Sequence, residues 1–353
     1  MGAVPGRRLS PRALATVVTT VLATVVIAIA GCGDDGTEAE LARDTGFRRA
    51  LERVGATVSP AGTGFGWIDA RDLRAESGDA SVIAGAGALG PGGEQLFEGA
   101  RRVERKTGID PLDAAEVTSL AGSYMFALRL EGTSPGRLAD ELQQAGARRR
   151  TIAGSTAFDL GAPGQAVIGG SLSPLQAFAA RTAMGRDFIV LSRMDGPRAS
   201  LLGEQGSALD DRSLDLASAC VGEVAAARTF PGGFAHNPGA TPDLLAIGSR
   251  PRAQSGGDEV LCTLDDSAED AERRAAAMET SFAPEARDAV TGEPMRNLVR
   301  AAEVETLAEG ELHAPRAELT LTREARNGLL FRALDRGSLA TYTGSPPPLG
   351  DDG

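Results

Sequence analysis

Tyr124-Met125-Phe126-Ala127-Leu128-Arg129-Leu130, followed by Gly132-Thr133-Ser134-Pro135-Gly136 and then by Leu138 and Leu142, is the stretch that decides the fold class. Its first seven residues alternate, so Tyr124, Phe126, Leu128 and Leu130 share one face of a strand. The Gly/Ser/Pro cluster ends that strand. Leu138 and Leu142, four residues apart, then mark a helix running to Gly146. The unit is an apolar strand, a turn and an amphipathic helix.

The unit recurs along the chain. Residues 188–191 read as a second strand, followed by Asp195-Gly196-Pro197 and a short helix at Leu201-Leu202. Val260, Cys262 and Leu264 line a third strand, with a helix predicted over 266–278. Leu319 and Leu321 lie on a fourth, with a helix over 324–334. Leu130 and Leu264 are 134 residues apart, and Leu191 and Leu321 are 130 apart. Two pairs of units with nearly the same offset point to a duplicated module. The expected fold is α+β: two similar modules of antiparallel sheet with helices on one face. Outside these units, a helix is predicted over 38–54, with Leu41, Phe47, Leu51 and Val54 on one stripe. A short strand over 65–73 carries Trp67, the one tryptophan, and a helix over 213–229 opens the second half.

The chain has 353 residues, with 36 Lys+Arg against 48 Asp+Glu, a net charge of −12 and 42% apolar residues. That apolar share supplies a core and excludes a wholly disordered protein. The acidic balance argues against nucleic-acid binding, which asks for a basic face. Lys106 is the single lysine, a skew that reflects codon usage and gives the arginines no phosphate-binding meaning.

The N-terminus predicts where the protein goes. Arg7, Arg8 and Arg12 precede an unbroken run of Ala, Val, Ile, Leu and Thr from Ala13 to Ala30, which closes on Ile29-Ala30-Gly31-Cys32. This resembles the lipobox of bacterial lipoproteins, in which the cysteine is diacylated and becomes the new N-terminus. Two acyl chains anchor stably, at about 0.8 kcal/mol per buried methylene. The alternative is an uncleaved span, since about 18 apolar residues can cross a bilayer. Cys32 followed at once by Gly33-Asp34-Asp35-Gly36 favours the lipobox. The residues after Arg7-Arg8 do not suit a twin-arginine signal, so ordinary export is expected. The predicted organisation is a signal peptide over 1–31, a lipidated Cys32 and tether over 32–37, modules over 38–205 and 206–343, and a disordered tail over 344–353. Removing the signal takes away three arginines and no acids, leaving 33 basic against 48 acidic residues, a net charge of −15. That places the protein on the extracytoplasmic face of the cell membrane.

With Cys32 lipidated, Cys220 and Cys262 are the remaining thiols. An even pair outside the reducing cytoplasm is expected to form a disulfide, with two buried thiols as the alternative. Closing a loop of about 43 residues would constrain the unfolded chain by about 4 kcal/mol.

Several motifs invite a chemical reading. Gly85-Ala86-Gly87-Ala88-Leu89-Gly90 matches GxGxxG, but only Ser81-Val82-Ile83-Ala84 precedes it and Pro91-Gly92-Gly93 delays a helix, so it reads as a glycine-rich loop. Gly132-Thr133-Ser134-Pro135-Gly136 matches GxSxG. Pro135 has no N–H for an oxyanion hole, and Ser134-Pro135 is the N-cap and first residue of a helix. His236, in a loop, and His313, in a strand-like stretch, have no Cys or carboxylate at zinc-ligand spacing. The acidic run Asp265-Asp266-Ser267-Ala268-Glu269-Asp270 lacks the EF-hand order and suits the first turn of a helix.

Cys220-Val221-Gly222-Glu223-Val224-Ala225-Ala226-Ala227, Leu245-Ala246-Ile247-Gly248 and Glu259-Val260-Leu261-Cys262, together with Thr107-Gly108-Ile109-Asp110-Pro111-Leu112 and the lipobox, resemble a family of uncharacterised actinobacterial envelope lipoproteins. The resemblance implies a lipid anchor, pairing of Cys220 with Cys262 and no cofactor, and it brings no catalytic residues. The expected function is a non-catalytic, lipid-anchored binding or assembly factor of the cell envelope, with another envelope protein as partner. The alternatives are a carrier or sensor of an apolar ligand, which would need an apolar cavity of roughly several hundred Å³, and an exported hydrolase, which would need a histidine beside a serine or carboxylate.

Overall fold

Apolar runs bounded by glycines and polar turns set the strands, and the computed structural model describes them within residues 44–56, 64–90, 93–120, 125–130, 135–161, 180–192, 194–204, 206–232, 243–252, 256–325 and 328–344. The first half opens with helix α1 (Gly46–Glu52) and strand β1 (Phe65–Asp69). Short helices α2 (Ala70–Ser77), α3 (Asp79–Gly85), α4 (Gly93–Glu98) and α5 (Ala100–Thr107) follow, then β2 (Ala114–Leu120) and β3 (Met125–Leu130). Helix α6 (Gly136–Gln144) leads to β4 (Arg148–Ile152), β5 (Ser155–Asp159), β6 (Arg181–Met184), β7 (Phe188–Ser192) and α7 (Asp195–Leu201). The second half comprises α8 (Arg212–Val221), β8 (Ala226–Pro231), β9 (Leu244–Arg250), β10 (Asp258–Leu264) and α9 (Ala268–Phe282). It continues through β11 (Val299–Glu309), β12 (Leu312–Leu321), α10 (Leu330–Asp335) and α11 (Leu339–Tyr342).

All these strands join one twelve-stranded sheet in the order β11-β12-β10-β9-β8-β1-β2-β3-β7-β6-β5-β4. Every neighbouring pair is antiparallel. The chain is therefore α+β, with an antiparallel sheet. Strands β1–β7 supply one half of the sheet and β8–β12 the other. The halves meet where β1 pairs with β8, Trp67 lying opposite Ala227. Each half holds a helix, three strands paired in chain order, a second helix, and a return whose last strand pairs with the third of those strands; in the first half alone, helices α2–α5 intervene between the first two strands. By that plan β3 corresponds to β10 and β7 to β12, the same strands that the offsets of 134 and 130 residues relate. The return holds four strands in the first half and two in the second.

Helices cover both faces of the sheet, where one face was expected. On one side Phe47 and Leu51 of α1 and Leu214, Ala217 and Val221 of α8 pack on Phe65, Trp67, Ala227, Ala246, Val260 and Leu264. On the other side Leu138 and Leu142 of α6 cover Val117, Phe126, Leu128 and Leu191. There Met278 and Phe282 of α9 cover Ile247, Leu261 and Leu319. The physical reason lies in β9 and β10, whose apolar runs Leu244-Leu245-Ala246-Ile247 and Val260-Leu261-Cys262 are buried residue after residue. A strand sandwiched on both faces carries continuous apolar residues and not an alternation.

Four local expectations are corrected. The helix expected over 324–334 is not continuous: Arg323–Ala325 is a 3-10 turn, Gly328 turns the chain at φ +82°, and α10 starts only at Leu330. The predicted strand over 65–73 stops at Asp69, whose carboxylate accepts from the Asp72 backbone N–H at 2.9 Å and caps α2, so Leu73 is helical. The helix expected over 213–229 ends at Val221, because Gly222 turns the chain at φ +70° and Ala226 enters the sheet. Residues 81–84 belong to helix α3, and Gly85–Gly90 continues as a 3-10 turn over Ala86–Leu89 and not as a loop. That turn lies directly on β1. A Cβ added at Gly66 would fall 2.2 Å from the Ala88 carbonyl oxygen, so glycine permits the approach. Ser119 secures it by donating to the Leu89 carbonyl at 2.6 Å. The signal peptide, tether and most of the tail lie outside the described residues.

Candidate functional site

The central seam carries an open cleft of about 670 Å³. Its floor is built by three backbone segments tied in sequence. The Asp69 N–H donates to the Ala225 carbonyl at 2.8 Å, and the Ala225 N–H donates to the Ser249 carbonyl at 3.0 Å. This holds the end of β1, the turn between α8 and β8, and the end of β9 in one place. Trp67 is almost wholly buried in the floor, with its ring centroid 6.0 Å from that of Phe47. Gly46 makes room for it: an added Cβ there would sit 2.8 Å from the indole. The indole Nε1 is buried without a hydrogen-bond acceptor.

The walls are charged and balanced. Arg49, Arg71, Arg250 and Arg252 face Asp69, Asp72, Glu76 and Glu223. Some of these are already paired, Arg252 with Asp258 at 2.7 Å, Arg250 with Glu223 at 3.7 Å, and Arg49 with Asp44 at 2.6 Å. Exposed pairs of this kind contribute less than about 1 kcal/mol each, so a ligand can exchange them at little cost. The arrangement can hydrogen-bond and ion-pair with a polar surface carrying both signs of charge.

The residues singled out in the sequence are scattered. Cys32, Ser134 and His236 lie outside the described residues. The expected Ser134 N-cap with Pro135 as first helical residue is corrected: Pro135 itself holds the N-cap position, no side chain caps the helix, and α6 begins at Gly136. Cys220 on α8 and Cys262 on β10 are joined, with Cα atoms 6.3 Å apart. That bond fastens α8 to the strand beneath it. His313 lies on β12, where its backbone exchanges two 2.9 Å hydrogen bonds with Asp265. The acidic run divides its roles. The Asp265 carboxylate accepts from Arg274 Nε at 2.7 Å in a buried pair, Ser267 caps α9, and Glu269 and Asp270 occupy its first turn. Burial pushes the Asp265 carboxyl up, and Arg274 opposes that push. Among the described residues no three His, Cys, Asp or Glu side chains gather as metal ligands.

Two buried charge systems were not anticipated. Glu259, near the start of β10, is fully buried, and its Oε2 accepts from the backbone N–H groups of Leu329 and Leu330 at 2.9 and 2.8 Å. Burial pushes its carboxyl up to about 7, against those two hydrogen bonds and the nearby Arg332. The second system surrounds Asp159, which binds Arg198 at 2.8 Å and Arg150 at 2.6 Å. Arg198 also reaches Asp195 at 2.6 Å, and Arg181 stands 3.5 Å from the same carboxylate. An acid inside the run Glu259-Val260-Leu261-Cys262 was the available signal for the first system. The second joins β5, β6 and α7 across the fold, and no local spacing reports it.

No protein-family model matches the chain, and no curated protein matches it. The chain is similar to a solved structure described as "Structure of crystal form I of TP0453", at 10% identity and a TM-score of 0.37, covering 81% of this chain and 96% of that one. A likeness that shallow identifies neither family nor function. Among the described residues no helix is long and apolar enough to cross a membrane.

Proposed function

We propose that the protein is a lipid-anchored, non-catalytic component of the bacterial cell envelope that binds another envelope component in the cleft at the β1–β8 seam. The cleft itself carries the reading: about 670 Å³ of open space on a rigid backbone floor, walled by four arginines and four acids. Charged walls favour a polar partner, a peptide segment or protein surface, over the apolar ligand of a carrier. The Ile29-Ala30-Gly31-Cys32 lipobox and the resemblance to actinobacterial envelope lipoproteins support the anchor.

Two measurements test this. Mass spectrometry of the native protein should find Cys32 as a diacylated N-terminus. Native mass spectrometry of the wild type and of an Arg250→Glu variant should find a co-purifying component retained by the first and lost by the second. A component held equally by both would remove the cleft from the reading.

A further inference from the structure

The twelve-stranded sheet ends in β4 on one side and β11 on the other. Strand ends of this kind present unpaired N–H and C=O groups and are templates for another strand. Their charges are opposite. Residues Arg148, Arg149 and Arg150 open β4, and all three are exposed. The outer edge β11 is eleven residues long and net acidic, with exposed Glu303, Glu305 and Glu309 against the exposed Arg300 near its start. Pairing β4 with β4 would set arginine against arginine, and pairing β11 with β11 would set glutamate against glutamate. Only the unlike pairing brings opposite charges together.

Topology and facing agree with that pairing. The sheet has an even number of strands and every neighbour is antiparallel, so β4 and β11 run in opposite directions. A second copy placed at the edge in the same orientation therefore meets β11 with β4 antiparallel and with the two sheet faces continuous. Register fixes which side chains meet. Arg148 lies opposite Asp159, on the face where Arg150 lies opposite Ala157 of the α1–α8 side. Glu303 and Glu305 share that face with Leu307. Arg149 points to the other face, opposite Phe158. On that face a groove of about 310 Å³ runs beside β11, floored by Phe282 and Val304 and bordered by the exposed Glu279 and, at the start of the strand, by the exposed Arg300. An arginine stem over an apolar floor with its head at a carboxylate is a favourable placement for this side chain. Among the described residues Arg148, Arg149, Glu279 and Glu303 have no ion-pair partner within the chain.

We propose that copies of this chain associate head to tail, β4 of one adding to β11 of the next, with Arg148 meeting Glu303 and Arg149 entering the groove toward Glu279. The contact is heterologous, so it closes into a ring or extends as a row. This proposal is independent of the ligand cleft.

The test is sedimentation velocity on the full chain in a neutral detergent, over a protein concentration series. At about 0.01 M salt, where screening reaches only beyond about 30 Å, the wild type should sediment as more than one chain, and at about 1 M salt as one. The paired variant Arg148→Glu with Arg149→Glu should stay a single chain at low salt, as should Glu279→Arg with Glu303→Arg. Mixed in equal amounts, the two should recover assembly, because each edge then meets its opposite. Glutamine at the same positions should weaken assembly without recovery on mixing, and unchanged melting of all variants shows that the fold is kept. A wild type that remains a single chain across the low-salt series, or a mixture that fails to assemble while the wild type does, overturns the proposal.

Discussion

Glu259→Gln should abolish a pH dependence that wild type carries. In the unfolded chain Glu259 titrates near its ordinary 4.5, and in the folded protein burial raises it to about 7. A raised acid binds its proton more tightly when folded. Its stabilising contribution is therefore fully present below about pH 4.5 and is lost as the pH rises through 7. At about 1.4 kcal/mol per pH unit, the difference amounts to about 3 kcal/mol. Glutamine keeps an oxygen to accept from Leu329 and Leu330 and never ionises. The assay is equilibrium urea unfolding of both proteins between pH 4 and pH 8. Asp265 and Asp335 are also raised by burial and Asp288 is lowered, so each protein alone has a composite profile. The difference between wild type and Glu259→Gln isolates the one group. It should move by about 3 kcal/mol in favour of glutamine from the acid to the alkaline end. Relative to the intrinsic, base-catalysed rate, the protection of the Leu329 and Leu330 amides should fall with pH in wild type and stay level in Glu259→Gln. A difference in stability that is the same at both ends would refute the reasoning.

Further outcomes follow from other parts of the molecule. Cys32→Ala should release the protein from the membrane fraction while the soluble body stays folded, and a variant still held there would point to an uncleaved span. Reducing the Cys220–Cys262 bond should destabilise the second half by about 4 kcal/mol on the loop-entropy account, seen as faster amide exchange in α8 and β10, and the unreduced, denatured protein should titrate no thiol at either position. Asp265→Asn should cost about 3 kcal/mol or more by leaving Arg274 charged and buried, measured by denaturant unfolding at neutral pH.

The repeating unit was legible because its strands alternate or run apolar and its turns hold Gly, Pro and Asp. The strand stretches at 124–130, 188–191, 260–264 and 319–321 and the helices after the first and third of them could be placed from periodicity, whereas the last strand starts earlier, at Leu312, and the helix after it starts only at Leu330. Strands with weak signals were not. Ala226-Ala227-Arg228-Thr229 reads as a helical continuation, and it becomes the central strand β8 because β1 and β9 bond it from both sides. Tertiary pairing there overrides a propensity worth roughly a few tenths of a kcal/mol per residue. The edge strand β4, Arg148–Ile152, carries no apolar alternation, since its outer side faces water. The cleft was illegible for another reason. Its arginines and acids come from residues 49–76, 223 and 250–252, segments that meet only after the two halves have joined.

The seam also dictates an order of events during synthesis. Phe65 donates its backbone N–H to the Thr229 hydroxyl 164 residues away. One edge of β1 is satisfied early by β2, but the other waits until β8 has been made. Throughout that interval the nascent first half presents Phe65-Gly66-Trp67-Ile68 as an open apolar strand edge. Such an edge is a template for wrong partners, and contacts of this separation form slowly. A truncation ending before Ala226 should aggregate and not settle as a soluble half.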